Sequence, residues 1–287
     1  MSAVGQAGGL PSVAAFTAAV LINVGANAVV VQAWRAVLSA SGVALGFRAA
    51  AWVWSVSQLA RYALGAAQVG GRAVAGRRYG LSPTAGAATA LVEIGWQTSI
   101  TATLVLATSP WWLPAVADLR WLAILGVPPA AVLVAGLLWP RRLLAWLGWL
   151  AGTRPVAWLT RGRLGGAVER VSVDRAAAAR LTALYALNSA LRLSAFAVLF
   201  AAVGGDLGAE AMRVVGAYAV GQLVGRLAVF VPGGIGPREG ATALVLAPAI
   251  GGGPALVLVT AVRLAEIVGE AIFAAGARAG RPAPPAT

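Results

Sequence analysis

From Gly80 to Ala117 the chain carries a single charge, Glu93, and from Trp121 to Pro140 it carries none. Apolar runs longer than about 18 residues are what a helix needs to cross a hydrocarbon core. Of the whole chain 60% is apolar and 11% charged, whereas soluble domains carry roughly 25% charged residues. So little polar surface cannot cover a water-facing globule. The expected fold class is all-α: a polytopic transmembrane helical bundle of about seven or eight helices. Residues 1–278 read as one membrane domain and 279–287 as a short tail.

The net charge is +13, and every basic residue is arginine. In a membrane protein such an excess reflects the positive-inside rule rather than nucleic-acid binding. Neither histidine nor cysteine occurs. That removes disulfides, thiolate nucleophiles, imidazole bases and most transition-metal sites. The aspartates Asp118, Asp174 and Asp206 are scattered, and no metal or cofactor is called for.

Predicted helices cover Ser12–Gln32, Gly46–Ala67, Ser82–Ala107, Trp121–Trp139, Ala176–Val203, Ala211–Val231 and Pro254–Ala277. Arg35, Ser39 and Ser41 read as a polar turn after the first. Gly70–Arg78 and 154–175 read as arginine-rich cytoplasmic loops. Pro110–Pro114 and Gly204–Glu210 read as loops on the far side, and 143–159 as a Trp-rich surface segment. Both termini are expected in the cytoplasm of a plasma-membrane protein, which requires an even number of crossings. The apolar piece Ala241–Ile250 spans only about 15 Å as a helix. Either it extends through the preceding Arg-Glu turn as a half-helix, or residues 231–250 are re-entrant and one boundary lies elsewhere.

The unusual stretch is Val231–Gly240, a polar, glycine-rich segment inside apolar sequence. Gly233, Gly234 and Gly236 allow tight turns, Pro237 suits a helix start, and Arg238 with Glu239 follows. A helix N-terminus beside an arginine is a candidate anion site; the bland alternative is a connecting turn. Non-helical backbone at membrane depth is tolerated only where it is buried or lines a cavity. An internal echo exists: Gln58 and Arg61 precede Gly70-Gly71-Arg72, as Gln222 and Arg226 precede Gly233-Gly234 and Arg238. Broken segments at matching positions of two halves point to a central site in transporters; chance in so Gly-, Ala- and Arg-rich a chain is the alternative.

Other polar residues sit where charge is costly. Glu93 lies mid-helix. Arg263, Glu266 and Glu270 share one face of the last helix, Asn188 and Arg192 form a stripe on the fifth, and Gln222 and Arg226 on the sixth. Together they suggest one interior substrate site, against a purely structural set of interhelical bonds.

Pro232-Gly233-Gly234-Ile235-Gly236-Pro237-Arg238-Glu239 resembles the hallmark of the lysylphosphatidylglycerol synthase transmembrane-region family. Arg263 is similar to the family as well, and Gly71-Arg72 with Glu93 resembles a weaker first-half motif. The resemblance implies about eight helices with re-entrant segments and a flippase-like role in moving aminoacylated phosphatidylglycerol between leaflets. The soluble domain that makes this lipid is not expected to be part of the function here, so the chain is read as no enzyme. The expected ligand is an anionic phospholipid or a polyprenyl-phosphate lipid, held by Arg238 with Arg226 and Arg72. Glu93, Glu239, Glu266 and Glu270 would balance the arginines or a lipid amine. Homo-oligomerisation or partners in lipid or glycan assembly fit the same reading. The rivals are a non-transporting scaffold and a membrane enzyme acting on lipid-linked sugars.

Overall fold

A computed structural model describes residues 9–63, 67–116, 120–142, 145, 149, 173–228 and 230–283. Among them no strand occurs, and the bundle is all-helical. The helices are α1 (Val13–Ala40), α2 (Phe47–Ala60), α3 (Ala67–Gly76), α4 (Pro83–Trp112), α5 (Arg120–Leu138), α6 (Arg175–Ala202), α7 (Leu207–Leu227), α8 (Pro237–Ile250) and α9 (Gly252–Ala279). Of these, α1, α4 and α6 are long and apolar enough to cross a membrane by length and composition.

Two apolar clusters mark the ends of the bundle. One joins the start of α1, the ends of α4, α6 and α8, and the starts of α7 and α9, including Phe16, Leu113, Phe200, Val214, Ile250 and Ala255. The other joins the end of α1, the starts of α2, α4 and α6, and the end of α9, including Ala40, Phe47, Leu81, Leu181 and Ala277. At this second end Arg281 stacks 5.1 Å from the Trp52 ring, and Tyr79 donates to the Pro282 carbonyl at 3.4 Å. Arg48, Arg77, Arg78, Arg278 and Arg281 therefore gather there. Among the described residues α1, α4, α5, α6 and α9 run between the two ends. The described chain starts at one end and finishes at the other, so an even number of crossings with both ends on one side does not fit.

Two pairs of shorter helices turn back partway. The 14 residues of α2 rise only about 21 Å. The chain then turns at residues 61–63, and α3 returns to the arginine-rich end. The helix predicted over Gly46–Ala67 is thus half of a hairpin. Gly70-Gly71-Arg72 lies inside α3 rather than in an exposed loop, and Arg72 is fully buried. From the opposite end α7 descends and ends at Leu227, and α8, starting at Pro237, returns antiparallel to it. Gly221 and Gly225 on α7 admit this approach: a Cβ would meet Thr242 Oγ1 at 1.9 Å or Arg238 Cβ at 3.1 Å. The re-entrant alternative for 231–250 therefore describes the second half, and the first half has the same build. Counted from the ends, α1, α2/α3 and α4 are repeated with inverted direction by α6, α7/α8 and α9.

Other boundaries shift for local reasons. α1 continues two turns past Gln32 because Trp34, Val37 and Leu38 extend its buried stripe; Arg35 and Ser39 are helical. α4 absorbs Pro110 in its last turn, and Trp112 is buried with Val214 and Ala217 instead of lying at an interface. Asp206 caps α7 by accepting from Gly208 and Ala209, so the acidic segment expected as a loop becomes a helix start carrying Glu210. The segments 143–159 and 154–175 lie largely outside the described residues.

Candidate intramembrane polar site

The two hairpin tips touch. The Gly233 amide donates to the Arg61 carbonyl at 2.9 Å, so each break satisfies backbone that a membrane interior would otherwise leave unpaired. Gly233 (φ +59°), Gly234 (φ +69°) and Gly236 (φ +95°) hold left-handed backbone that side chains with a Cβ resist. The Gly233 carbonyl in turn accepts from Arg263 Nη2 at 2.7 Å.

Around this contact lies a polar cluster. Glu266 is shared: Arg238 Nη2 reaches its Oε1 at 2.5 Å, and Arg263 Nη1 its Oε2 at 3.3 Å. Arg263 Nε stands 3.5 Å from Glu239 Oε1. Glu239 also accepts from the Gly236 amide at 2.7 Å, so the chain's own carboxylate occupies the N-terminus of α8. The expected open anion site there is thus occupied by Glu239, and Arg238 already has a protein partner. Glu270 is held by Arg61 Nη2 at 2.5 Å and by the Tyr62 hydroxyl at 2.9 Å. The Tyr62 ring also lies 5.4 Å from the Arg263 guanidinium.

Two arginines of this region have no acidic partner among the described residues. Arg226 donates to Thr101 Oγ1 at 2.5 Å, and at 3.4 Å to the Gln97 carbonyl and Oε1. Arg192 donates to Asn27 Oδ1 at 2.8 Å and Asn23 Oδ1 at 3.3 Å. Asn188 sits one turn away and donates to the Ala26 carbonyl at 2.8 Å, binding α6 to α1. Among the described residues, Arg61, Arg192, Arg226, Arg238 and Arg263 thus face only Glu239, Glu266 and Glu270, an excess of two positive charges. Arg61 Nε and Asn27 Nδ2 are buried donors with no partner among the described residues.

Arg72 and Glu93 sit apart from the five. They pair with each other, both essentially without solvent exposure. Ser57 Oγ accepts from Arg72 Nε and Nη2 at 3.3 and 3.2 Å. Trp34 stacks at 4.6 Å from the guanidinium, and Trp54 Nε1 donates to Glu93 at 3.2 Å. Gln97 links the two regions, since its Nε2 donates to Glu93 at 3.4 Å while its oxygens receive Arg226.

The structure therefore brings together Arg192, Arg226, Gly233, Gly234, Gly236, Arg238, Glu239, Arg263, Glu266 and Glu270, with Arg72 and Glu93 one residue removed. It adds Arg61, Tyr62, Asn23, Asn27, Gln97 and Thr101. Asn23 and Asn27 were detectable as two amides spaced i, i+4 in an apolar run. Tyr62 carried no signal, because an aromatic beside a helix end is ordinary.

The void beside Arg238, Glu239 and Arg263, walled also by Tyr218 and Thr242, measures about 10 Å³, room for at most about one water. The void is too small to admit any group larger than a water.

No curated protein gives a match to the chain. The family model described as lysylphosphatidylglycerol synthase TM region matches residues 7–273. With the all-helical bundle and its apolar spans, that match makes the chain a membrane protein belonging to the lysylphosphatidylglycerol synthase transmembrane-region family.

Proposed function

We propose that this protein is a flippase-like lipid transporter whose paired hairpin tips hold the headgroup of an anionic phospholipid or polyprenyl-phosphate lipid. The observation that carries the reading is the surplus of Arg192 and Arg226 over the available acids. Placing an unpaired charge in an apolar interior is costly. A bound phosphate would supply the missing anion, and guanidinium forks match phosphate oxygens. The inverted hairpins meeting at mid-bundle support the same reading, because repeats of opposite direction can expose one site to either side in turn. In this reading no covalent bond is made or broken, and the chain is not an enzyme. The arginine-rich end, with the end of α9, faces the cytoplasm of the plasma membrane.

A liposome assay with fluorescent phosphatidylglycerol tests it. Wild-type protein accelerates exchange between leaflets, and Arg192→Gln/Arg226→Gln lowers the rate at least about tenfold, since charge-assisted bonds contribute roughly 1.5–3 kcal/mol each. A double variant that flips at the wild-type rate removes the assignment. The void of about 10 Å³ favours a second reading, a non-transporting scaffold for lipid or glycan assembly. That reading predicts no exchange by the wild type and loss of partner binding when the cluster is altered.

A further inference from the structure

A separate cavity of about 520 Å³ lies between the last turns of α1, the end of α5 and the first turns of α6. Its walls carry Arg35, Arg141 and Arg180, with Asp174 as the acid. Asp174 caps α6, accepting from the Ala177 amide at 2.7 Å. Among the described residues it forms no ion pair with any of the three arginines. Arg35 is half-buried and aimed by two bonds, to the Leu45 carbonyl at 2.8 Å and Gln32 Oε1 at 2.6 Å. Arg175 Nε holds the Leu138 carbonyl at 3.1 Å, which fixes α5 against α6 beside the cavity. The positive end of the α6 dipole adds to the field. Arg141 and Asp174 also line an adjoining cavity whose wall includes the exposed side chains of Leu138 and Trp139; an aromatic beside apolar surface suits headgroup depth.

We propose that this cavity is a second anion site, taking the phosphate of an anionic phospholipid from the leaflet at the arginine-rich end. The apolar flank favours a lipid over a soluble anion, since acyl chains can lie along α5 while the phosphate meets the arginines. The site does not rest on the central cluster: Arg180 lies about 18 Å along α6 from Arg192.

The absence of cysteine allows a clean probe. Ser39→Cys places a single thiol on the cavity wall, and an environment-sensitive fluorophore attached there reports occupancy. The titration uses detergent-solubilised protein carrying Arg192→Gln/Arg226→Gln, so the central site contributes nothing. Short-chain phosphatidylglycerol gives a saturable response and short-chain phosphatidylcholine none. Arg141→Gln/Arg180→Gln weakens the response about 30-fold, because each interfacial arginine contributes roughly a five-fold factor. Both arginines are exposed, so the variant folds; a titration without the central substitutions covers the case where those prevent purification. An equal response to phosphatidylcholine, or one indifferent to Arg141 and Arg180, overturns the site. A response to inorganic phosphate at the same concentrations overturns the lipid assignment. Loss of flipping without loss of this signal, or the reverse, separates this proposal from the central one.

Discussion

The two hairpins share a build and differ in their electrostatics. In the first half one arginine of the returning helix, Arg72, meets one glutamate of the next long helix, Glu93. In the second half Arg238 meets Glu266 in the corresponding places. There the likeness ends. Arg72 and Glu93 cancel and are sealed by Trp34, Trp54 and Ser57. Glu266 is divided between Arg238 and Arg263, and Arg192 and Arg226 stand by with amide and hydroxyl partners only. A neutral pair has no use for an added anion. A cluster with surplus positive charge does, so in the proposed reading the Arg72–Glu93 pair serves as frame and the cluster around Glu266 as the binding element.

The largest expected effect tests the frame. Glu93→Ala leaves Arg72 buried and alone, and breaking a buried pair in this way costs about 3–5 kcal/mol. Thermal unfolding in detergent reads the loss, and Arg72→Met/Glu93→Leu restores most of it. A near-neutral Glu93→Ala would mean that the first half is not sealed. The paired substitution of Arg192 and Arg226 behaves oppositely: transport falls and the melting temperature holds, because no carboxylate loses a partner. A drop in melting temperature as large as that of Glu93→Ala would make both halves structural.

Next in size is Gly233→Ala at the tip contact. Its φ is +59°, and a Cβ would lie 2.9 Å from both Arg263 Nη2 and Tyr62 Cδ1. The expected cost is about 1–3 kcal/mol, with slowed exchange, read by melting and by the liposome assay on one preparation. The smallest effect belongs to Gly71→Ala, where a Cβ would come 3.1 Å from Ser57 Cα and Ala60 Cβ. With ordinary helical backbone there, a loss of about 1 kcal/mol is expected. A Gly71→Ala effect exceeding that of Gly233→Ala would place the tighter constraint in the wrong hairpin.

Much of this was legible in the chain. Charge-free runs such as Trp121–Pro140 announced membrane helices, since their composition admits no other environment. The hallmark around Arg238 pointed to the broken segment, because three glycines and two prolines cannot continue a helix there. Arg263, Glu266 and Glu270 were readable as one face, because helical spacing alone places them together. The break after Ala60 was not legible: residues 46–67 are mostly apolar, their few polar side chains such as Gln58 and Arg61 fit a continuous helix equally well, and the turn at 61–63 has no glycine or proline to mark it. Arg72 misled for a related reason, since its neighbours Arg77 and Arg78 made the whole stretch look like an exposed loop.

Composition and spacing by themselves determined a helical membrane protein, its second-half break and the residues of its polar face. These follow from local physics: transfer of side chains into hydrocarbon, and backbone freedom. Only the tertiary structure decided which charges cancel and which remain. Pairing Arg72 with Glu93, or leaving Arg226 to Thr101, depends on how α2/α3 and α7/α8 meet. That meeting is set by close helix approach and by the Gly233 to Arg61 bond, contacts between residues far apart in the chain.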